Sequence, residues 1–430
     1  MGADLRNRQE DFLRFREKHP VFSYLGFNWD IHDNVLKVCY HFFDGQNDFF
    51  PEYAFPISSA IVDLERVGEN SPSFGGGWGE ALGALGLCEA ISYWKSSCAP
   101  VFNIHSFCLD KEAEKWWKKL FYNGLGEFRY LNGIECEEKD FVQFRYLSTK
   151  MFQPVEITDN EGVLVPVGGG KDSAVTLELL SKTVGRENIT PFMLNGIPAS
   201  QRTIVQAGFS LEKSINVVRK LDPVLLRLNE KGYLNGHTPF SALLAFVTLF
   251  TAMLHKKRDI ALSNESSANE ATIPGTNINH QYSKSFEFET DFRHYYQRYI
   301  ASGVNYFSYL RSYSESDIAK IFATFPQHFL SFRSCNVGSK NDTWCCNCSK
   351  CLFVWIILSP YLSVEQLIAI FGKDLGADFH LLEDFNKLCG LSSEKPFECV
   401  GTIEEVRRSV IAAYHNGHQK NVLYQYFMSR

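Results

Sequence analysis

The 430-residue sequence predicts an α/β fold, a mainly parallel sheet with helices on both faces, flanked by an α+β unit and a helical part. Three observations carry that expectation. From residue 161 onward, short apolar strands alternate with helix-length segments, the rhythm of β-α units. One of these strands runs through a glycine-rich bend into a helix, "VLVPVGGGKDSAVTLELL", and ligands of parallel sheets gather at such strand ends. The composition, 45% hydrophobic and 21% charged without a low-complexity tract, suits a chain that buries more than one core.

The elements follow in order. In "FNWDIHDNVLKVCYHFF", Leu36, Val38, Tyr40 and Phe42 alternate with more polar neighbours, which predicts a hairpin turning near Asp33-Asn34. After "SPSFGGG" the segment "WGEALGALGLCEAISYWK" reads as a helix, and Gly79, Gly83 and Gly86 predict close packing against another backbone. "KEAEKWWKKLFYNGLGEF" is a second helix with tryptophans in the core. In the β-α region "VLVPV", "NITPFML", "SINVVRKL" and "RDIALS" are strands. Helices are expected from near Asp172, over "PASQRTIVQAG", and over 239–254. The last 65 or so residues read as supporting helices. The resulting division is an α+β domain over 1–155, a nucleotide-type sheet over 156–330, and a cysteine loop with helices over 331–430.

Bulk properties narrow the function. A net charge of -6 gives no general reason to expect a nucleic-acid partner. "MGADLRNRQEDFLRFREKHP" is charged throughout and lacks the apolar centre of a secretory signal. The longest apolar run, 240–254, is short for a bilayer and contains Ser241, Thr248 and Thr251. A cytoplasmic protein without a membrane partner, its twelve cysteines reduced, is expected.

The bend Gly168-Gly169-Gly170-Lys171-Asp172-Ser173 is neither of two familiar phosphate loops. A Walker loop needs Ser or Thr after Gly-Lys and a glycine five residues before; here Asp172 and Val165 stand there. The dinucleotide fingerprint lacks its third glycine. A pyrophosphate cradle remains. Glycines let the backbone approach an anion, and the exposed amides and positive helix end attract it. Ser173 can donate to a phosphate oxygen, and Asp172 can hold a divalent metal bridging phosphates. A plain tight turn would want the glycines but not Lys-Asp-Ser.

Five cysteines crowd into "SCNVGSKNDTWCCNCSKCLF", whereas Cys39, Cys88, Cys98, Cys108, Cys136, Cys389 and Cys399 are scattered and read as small buried apolar residues. Cys335, Cys345, Cys348 and Cys351 suit a tetrahedral structural Zn2+, with Cys346 as the spare. A redox or persulfide-carrying cysteine is the competing reading.

At these residues the sequence resembles the PP-loop (N-type) ATP pyrophosphatases, whose loop reads Ser-Gly-Gly-x-Asp-Ser. Gly168 replaces the first serine, and the other five positions agree. The resemblance implies an adenine nucleotide alpha hydrolase-like fold, cleavage of ATP between its α and β phosphates, and transfer of AMP to a substrate oxygen. Within that superfamily, the cysteine cluster is similar to that of 7-cyano-7-deazaguanine synthases. "EAISYWK", "NGLGEFRYLNGIE", "NGHTPFSA" and "SNESSANE" instead resemble a family of epimerases of bacterial peptidoglycan synthesis, over most of residues 20 to 365.

The second resemblance implies that the α-carboxylate of the L-Glu in a UDP-linked muramoyl dipeptide is adenylated before its Cα proton is exchanged. ATP would sit on Gly168, Gly169, Gly170, Lys171, Asp172, Ser173 and Asn195, with Mg2+ on Asp172. Acid/base candidates are His237, in a loop where a histidine can titrate near neutrality, and Glu265, with Lys171 in an electrostatic role. Asn264, Asn269, Tyr282, Ser283 and Lys284 are candidate substrate contacts. A nucleobase- or tRNA-modifying PP-loop enzyme (a deazaguanine synthase-like or thiolating one) and a nucleotide binder without catalysis stay open as alternatives.

Overall fold

The structure, a computed structural model, describes residues 6–57, 77–270, 272–273, 276, 278–338 and 341–430. Residues 71–76, most of the glycine-rich stretch ahead of the first long helix, lie outside them. Among the described residues the strands are β1 (Val21–His32), β2 (Val35–Phe43), β3 (Asp48–Phe49), β4 (Glu52–Pro56), β5 (Val101–Ile104), β6 (Gln143–Tyr146) and β7 (Val155–Glu156). They continue with β8 (Val163–Pro166), β9 (Ile189–Leu194), β10 (Ile215–Lys220), β11 (Asp259–Leu262), β12 (Ala301–Ser302) and β13 (Asn305–Ser308).

Five of these strands form a parallel layer in the order β10-β9-β8-β11-β13. Counted from β8 along the chain, that is the doubly wound order 3-2-1-4-5. The chain leaves β8 in one direction and later returns to β11 on its other side. Between these two strands the following loops must diverge, which opens a crevice at their carboxyl ends. The triglycine bend follows β8, and "SNESSANE" follows β11. Topology therefore places both segments at one crevice.

The sheet does not end at β10. Antiparallel pairing of Val218, Arg219 and Lys220 with Ala54, Tyr53 and Glu52 joins β10 to β4, and the ladder runs on through β2, β1, β5 and β6. The amino-terminal and central segments share one sheet of eleven strands. The β1-β2 turn is the expected one: Asp33 and Asn34 take positive φ (49° and 59°), the twist a two-residue hairpin requires.

Helices cover both faces. Trp78–Trp94 is buried on nearly every side and packs against Phe240–Leu254, which explains why neither shows a polar face. Gly86 is needed there, because a Cβ would stand 2.2 Å from the Tyr24 hydroxyl oxygen. Lys111–Gly124 is amphipathic and capped by Asp110, whose side chain accepts from the Glu112 and Ala113 amides. Its Trp117 stacks on Phe246 at 5.4 Å and donates to the Tyr295 hydroxyl at 2.9 Å, so it belongs to the core. The carboxyl-terminal helices Ser349–Leu358, Val364–Phe371, Leu382–Leu388, Ile403–His415 and Val422–Met428 build a second core. Ala174 and Val175, just after the triglycine bend, join that core. No helix of the described residues is long and apolar enough to cross a membrane.

Candidate functional site

The helix Lys171–Val184 begins at Gly170 without a side-chain cap. Among the described residues, none of the backbone amides from Gly168 to Ser173 donates to a protein acceptor. Six consecutive donors at an uncapped helix N-terminus are an anion seat by charge and by geometry. Carbonyls fix the bend instead: Arg333 N donates to Gly169 O at 2.8 Å, and Ala174 N to Gly170 O at 3.3 Å. Gly169 has φ +87°, and a Cβ would fall 2.6 Å from the Ser200 amide nitrogen, so only glycine fits. Around Gly168, in contrast, a Cβ would meet nothing within 4 Å. The bend is closed toward the protein and open outward. The Ser173 hydroxyl donates back to Gly170 O at 3.0 Å.

Lys171 is fully buried between two carboxylates. It donates to Asp172 Oδ1 at 2.5 Å and, in a shorter contact, to Glu315 Oε2. Burial opposes the ammonium charge, yet Asp172 and Glu315 hold Lys171 above the usual lysine range. Burial, reinforced by the nearby charges of Asp172 and Glu265, drives Glu315 upward against the pull of Lys171. Lys350 and Lys284 also act on Asp172, Lys350 from the first turn of Ser349–Leu358. Acidic and basic groups from four distant segments thus converge at the bend.

Glu265 is buried and accepts from Ser267 Oγ at 3.3 Å. Its charge reaches Lys284 and Glu315, which places it in the same group. Arg311 braces this wall, donating to Glu265 O at 2.9 Å and Lys284 O at 2.7 Å. Asn264 donates to Ser308 Oγ at 3.0 Å. Asn269 is exposed and holds the next helix, accepting from Phe286 N at 2.8 Å. Tyr282 and Ser283 are buried in a short turn rather than solvated, and Lys284 donates to Cys399 Sγ at 3.1 Å. Asn195 sits exposed at the end of β9 and clamps β10, donating to Arg219 O at 2.9 Å and accepting from Arg219 N at 2.7 Å.

His237 lies in the loop before Phe240–Leu254, as expected, but does not titrate near neutrality. Burial and the charge of His280 push it down to about 4, so it is a neutral imidazole at pH 7. The two histidine rings stand 4.6 Å apart, and both reach Glu127, His237 at 3.4 Å and His280 more closely. Burial opposes protonation of His280, but Cys399 and Glu127 hold it up at about 10. Lys95 and Lys284 add positive charge around His237. Glu127, His280, Glu315, Lys350 and Cys399 are members of the cluster that the sequence reading missed. His280 stands two residues before the candidate contact Tyr282, and Glu127 in the quoted "NGLGEF".

The cysteine loop closes as its spacing predicted. The sulfurs of Cys335, Cys345, Cys348 and Cys351 lie within 4.8 Å of one another, with Cys345 to Cys351 at 3.7 Å and Cys348 to Cys351 at 3.5 Å. Tetrahedral zinc with sulfurs at about 2.3 Å needs sulfur separations of roughly 3.8 Å, so this donor set fits the ion. Cys346 turns away with φ 53° and points its thiol to Phe371 O at 3.3 Å, which makes it the spare. Such an ion would tie down the segment whose Arg333 holds the triglycine bend. Cys348→Ser is expected to lose one equivalent of zinc and at least several degrees of Tm; an unchanged zinc content by elemental analysis would contradict the assignment. Of the scattered cysteines, Cys88, Cys98 and Cys389 are buried as expected, whereas Cys39, Cys108, Cys136 and Cys399 are only half-buried, Cys399 among charged groups. A lone cysteine carries no spacing signal that would have shown this.

Comparison with known proteins finds relatives over most of the chain. The family model for the MurL N-terminal domain matches residues 14–309, and that for the MurL C-terminal domain matches residues 331–428. The chain is 32% identical over 404 residues to the UDP-N-acetyl-alpha-D-muramoyl-L-alanyl-L-glutamate epimerase of Xanthomonas oryzae pv. oryzae, covering 92% of this chain and 86% of that protein. It is 33% identical over 383 residues to the protein of the same name from Salinispora tropica, covering 87% and 80%. The Micromonospora protein of that name is 33% identical over 342 residues, covering 78% and 74%.

Proposed function

This chain belongs to the MurL epimerase family, and we propose that it inverts the L-Glu of a UDP-linked muramoyl dipeptide in peptidoglycan precursor synthesis, using ATP. The single observation that carries the ATP-dependent part is the run of six unpaired amides, Gly168 to Ser173, at the start of an uncapped helix. With Lys171, Asp172 and Ser173 in the same turn, this is a site for pyrophosphate. The 3-2-1-4-5 strand order and the loop sequence support a PP-loop type of central domain over 156–330, with 1–155 and 331–430 as flanking domains.

The chemistry follows from charge. The Cα proton of a glutamyl residue beside a free carboxylate is hard to remove, because the carbanion adds charge next to charge. Transfer of AMP to that carboxylate converts it into a neutral acyl group that accepts the electron pair as an enolate. Each pK unit gained at Cα is worth about 1.4 kcal/mol. The amides and Lys171 hold the phosphates, and Asp172, with Glu315 beside it, would hold magnesium, which neutralises phosphate charge. Proton return on the opposite face gives D-Glu, and hydrolysis of the acyl-adenylate releases the product with AMP and pyrophosphate. The four cysteines would hold a structural zinc, remote from the reaction. We place the protein in the cytoplasm, with no nucleic-acid or membrane partner.

The test is incubation with the L-Ala-L-Glu nucleotide precursor, ATP and magnesium, scored for glutamate chirality and AMP. D-Glu and AMP should form together. An unchanged L,L form sinks the epimerase reading, and AMP release only with a deazapurine acid and ammonia would select the nucleobase-modifying alternative.

A further inference from the structure

We propose that Cys399 is the base that removes the Cα proton of the activated glutamyl residue, acting as a thiolate held between Lys284 and the His280–Glu127 pair. The inference rests on the adenylation reading above and adds the group that acts on carbon.

The geometry is that of an activated cysteine rather than a packed one. Lys284 Nζ donates to Cys399 Sγ at 3.1 Å. The charge of His280 acts on the same sulfur, and its Nδ1 is held by the Glu127 carboxylate. Thiol, imidazole and carboxylate thus form a relay in which Glu127 orients His280 and His280 supports the charge on sulfur. The segment that carries Cys399 is pinned across the site: Lys395 pairs with Glu270, Val400 O accepts from Gln281 Nε2 at 3.5 Å, and Tyr130 packs on Phe397 at 5.6 Å. The charges of Lys284 and Lys350 each act on both the Cys399 sulfur and Asp172. Burial would raise the thiol, but Lys284 and His280, with help from Lys350, bring it down to about 6. Glu398, the neighbouring carboxylate, is the opposing charge. Cys399 is in no disulfide.

The step balances. The Cα–H bond breaks as an S–H bond forms, and the electron pair moves into the acyl-adenylate carbonyl. A solvent-exchangeable proton then adds to Cα from the opposite face, and the thiol returns its proton to water. No oxidant or reductant is needed.

Full-length Cys399→Ser and Cys399→Ala separate this step from adenylation. Two readouts are taken: exchange of labelled pyrophosphate into ATP with the L,L substrate present, and entry of solvent deuterium at Cα. We expect deuterium entry to fall about 10^3-fold, within the range for loss of a positioned base, with pyrophosphate exchange reduced less than tenfold. Deuterium entry within tenfold of the unaltered chain overturns the proposal. Parallel loss of both activities in a folded variant also overturns it, because the cysteine would then serve the nucleotide. Absence of pyrophosphate exchange in the unaltered chain instead refutes the adenylation reading itself. Independently, alkylation of Cys399 by iodoacetamide, located by mass spectrometry, should show a midpoint near pH 6 that rises in Lys284→Met. An ordinary thiol midpoint in the unaltered chain overturns the proposal.

Discussion

Asp172→Asn is expected to lower kcat for epimerisation by about 10^3-fold, near 4 kcal/mol, the scale of removing one preorganised electrostatic contact from a reacting phosphate. The substitution keeps the shape and removes only the charge. Lys171 would still pair with Glu315, so the buried ammonium keeps a partner and the fold keeps its stability. Tm should change by no more than a few degrees, which separates this loss from unfolding. Pyrophosphate exchange should fall with epimerisation, because the role proposed for Asp172 is at the phosphate end of the reaction and not in the proton transfer. Steady-state kinetics with a malachite-green pyrophosphate readout decide it. Retention of more than a third of the activity would mean that the bend is a structural turn, however open its amides are.

Much of the site was legible because its signals are local. A strand, three glycines and Lys-Asp-Ser lie within one turn of chain, and the requirement for Gly169 is set by its own φ and the neighbouring Ser200 amide. The cysteine spacing and the Asp33-Asn34 hairpin are likewise short-range. Long-range features were not legible. Glu315 reads as the first residue of an ordinary helix, capped by Ser314, and only the fold places its carboxylate on Lys171, 144 residues away. Cys399 looked apolar because burial without neighbours is the common fate of cysteine, and its neighbours come from residues near 280. The strands β5, β6 and β13 have four residues each, too few for a period of two to stand out. The seam between β4 and β10 joins segments more than 160 residues apart through three residue pairs, and no sequence pattern announces it.

That seam is where the largest loss of stability is expected. Glu89, fully buried on Trp78–Trp94, takes Arg219 of β10 in a two-pronged pair at 2.9 and 2.8 Å, and accepts from the Tyr53 hydroxyl at 2.5 Å. One carboxylate thereby ties together a helix, β4 and β10 at the point where the two halves of the sheet meet. Glu89→Ala strands a guanidinium with little access to water and should cost about 3–5 kcal/mol, the penalty for an uncompensated buried charge. The double change Glu89→Leu with Arg219→Met should recover most of that loss, because the cost lies in the orphaned charge rather than in missing attraction. Urea unfolding of the three variants checks both statements. A Glu89→Ala loss below 1 kcal/mol would mean that water reaches Arg219. Activity should not recover in the double variant as stability does. The helix that carries Glu89 also delivers Lys95, which donates to Gly236 O in the loop that presents His237. Apolar repacking can restore the seam's energy, but it removes the directional bonds that fix where that helix points.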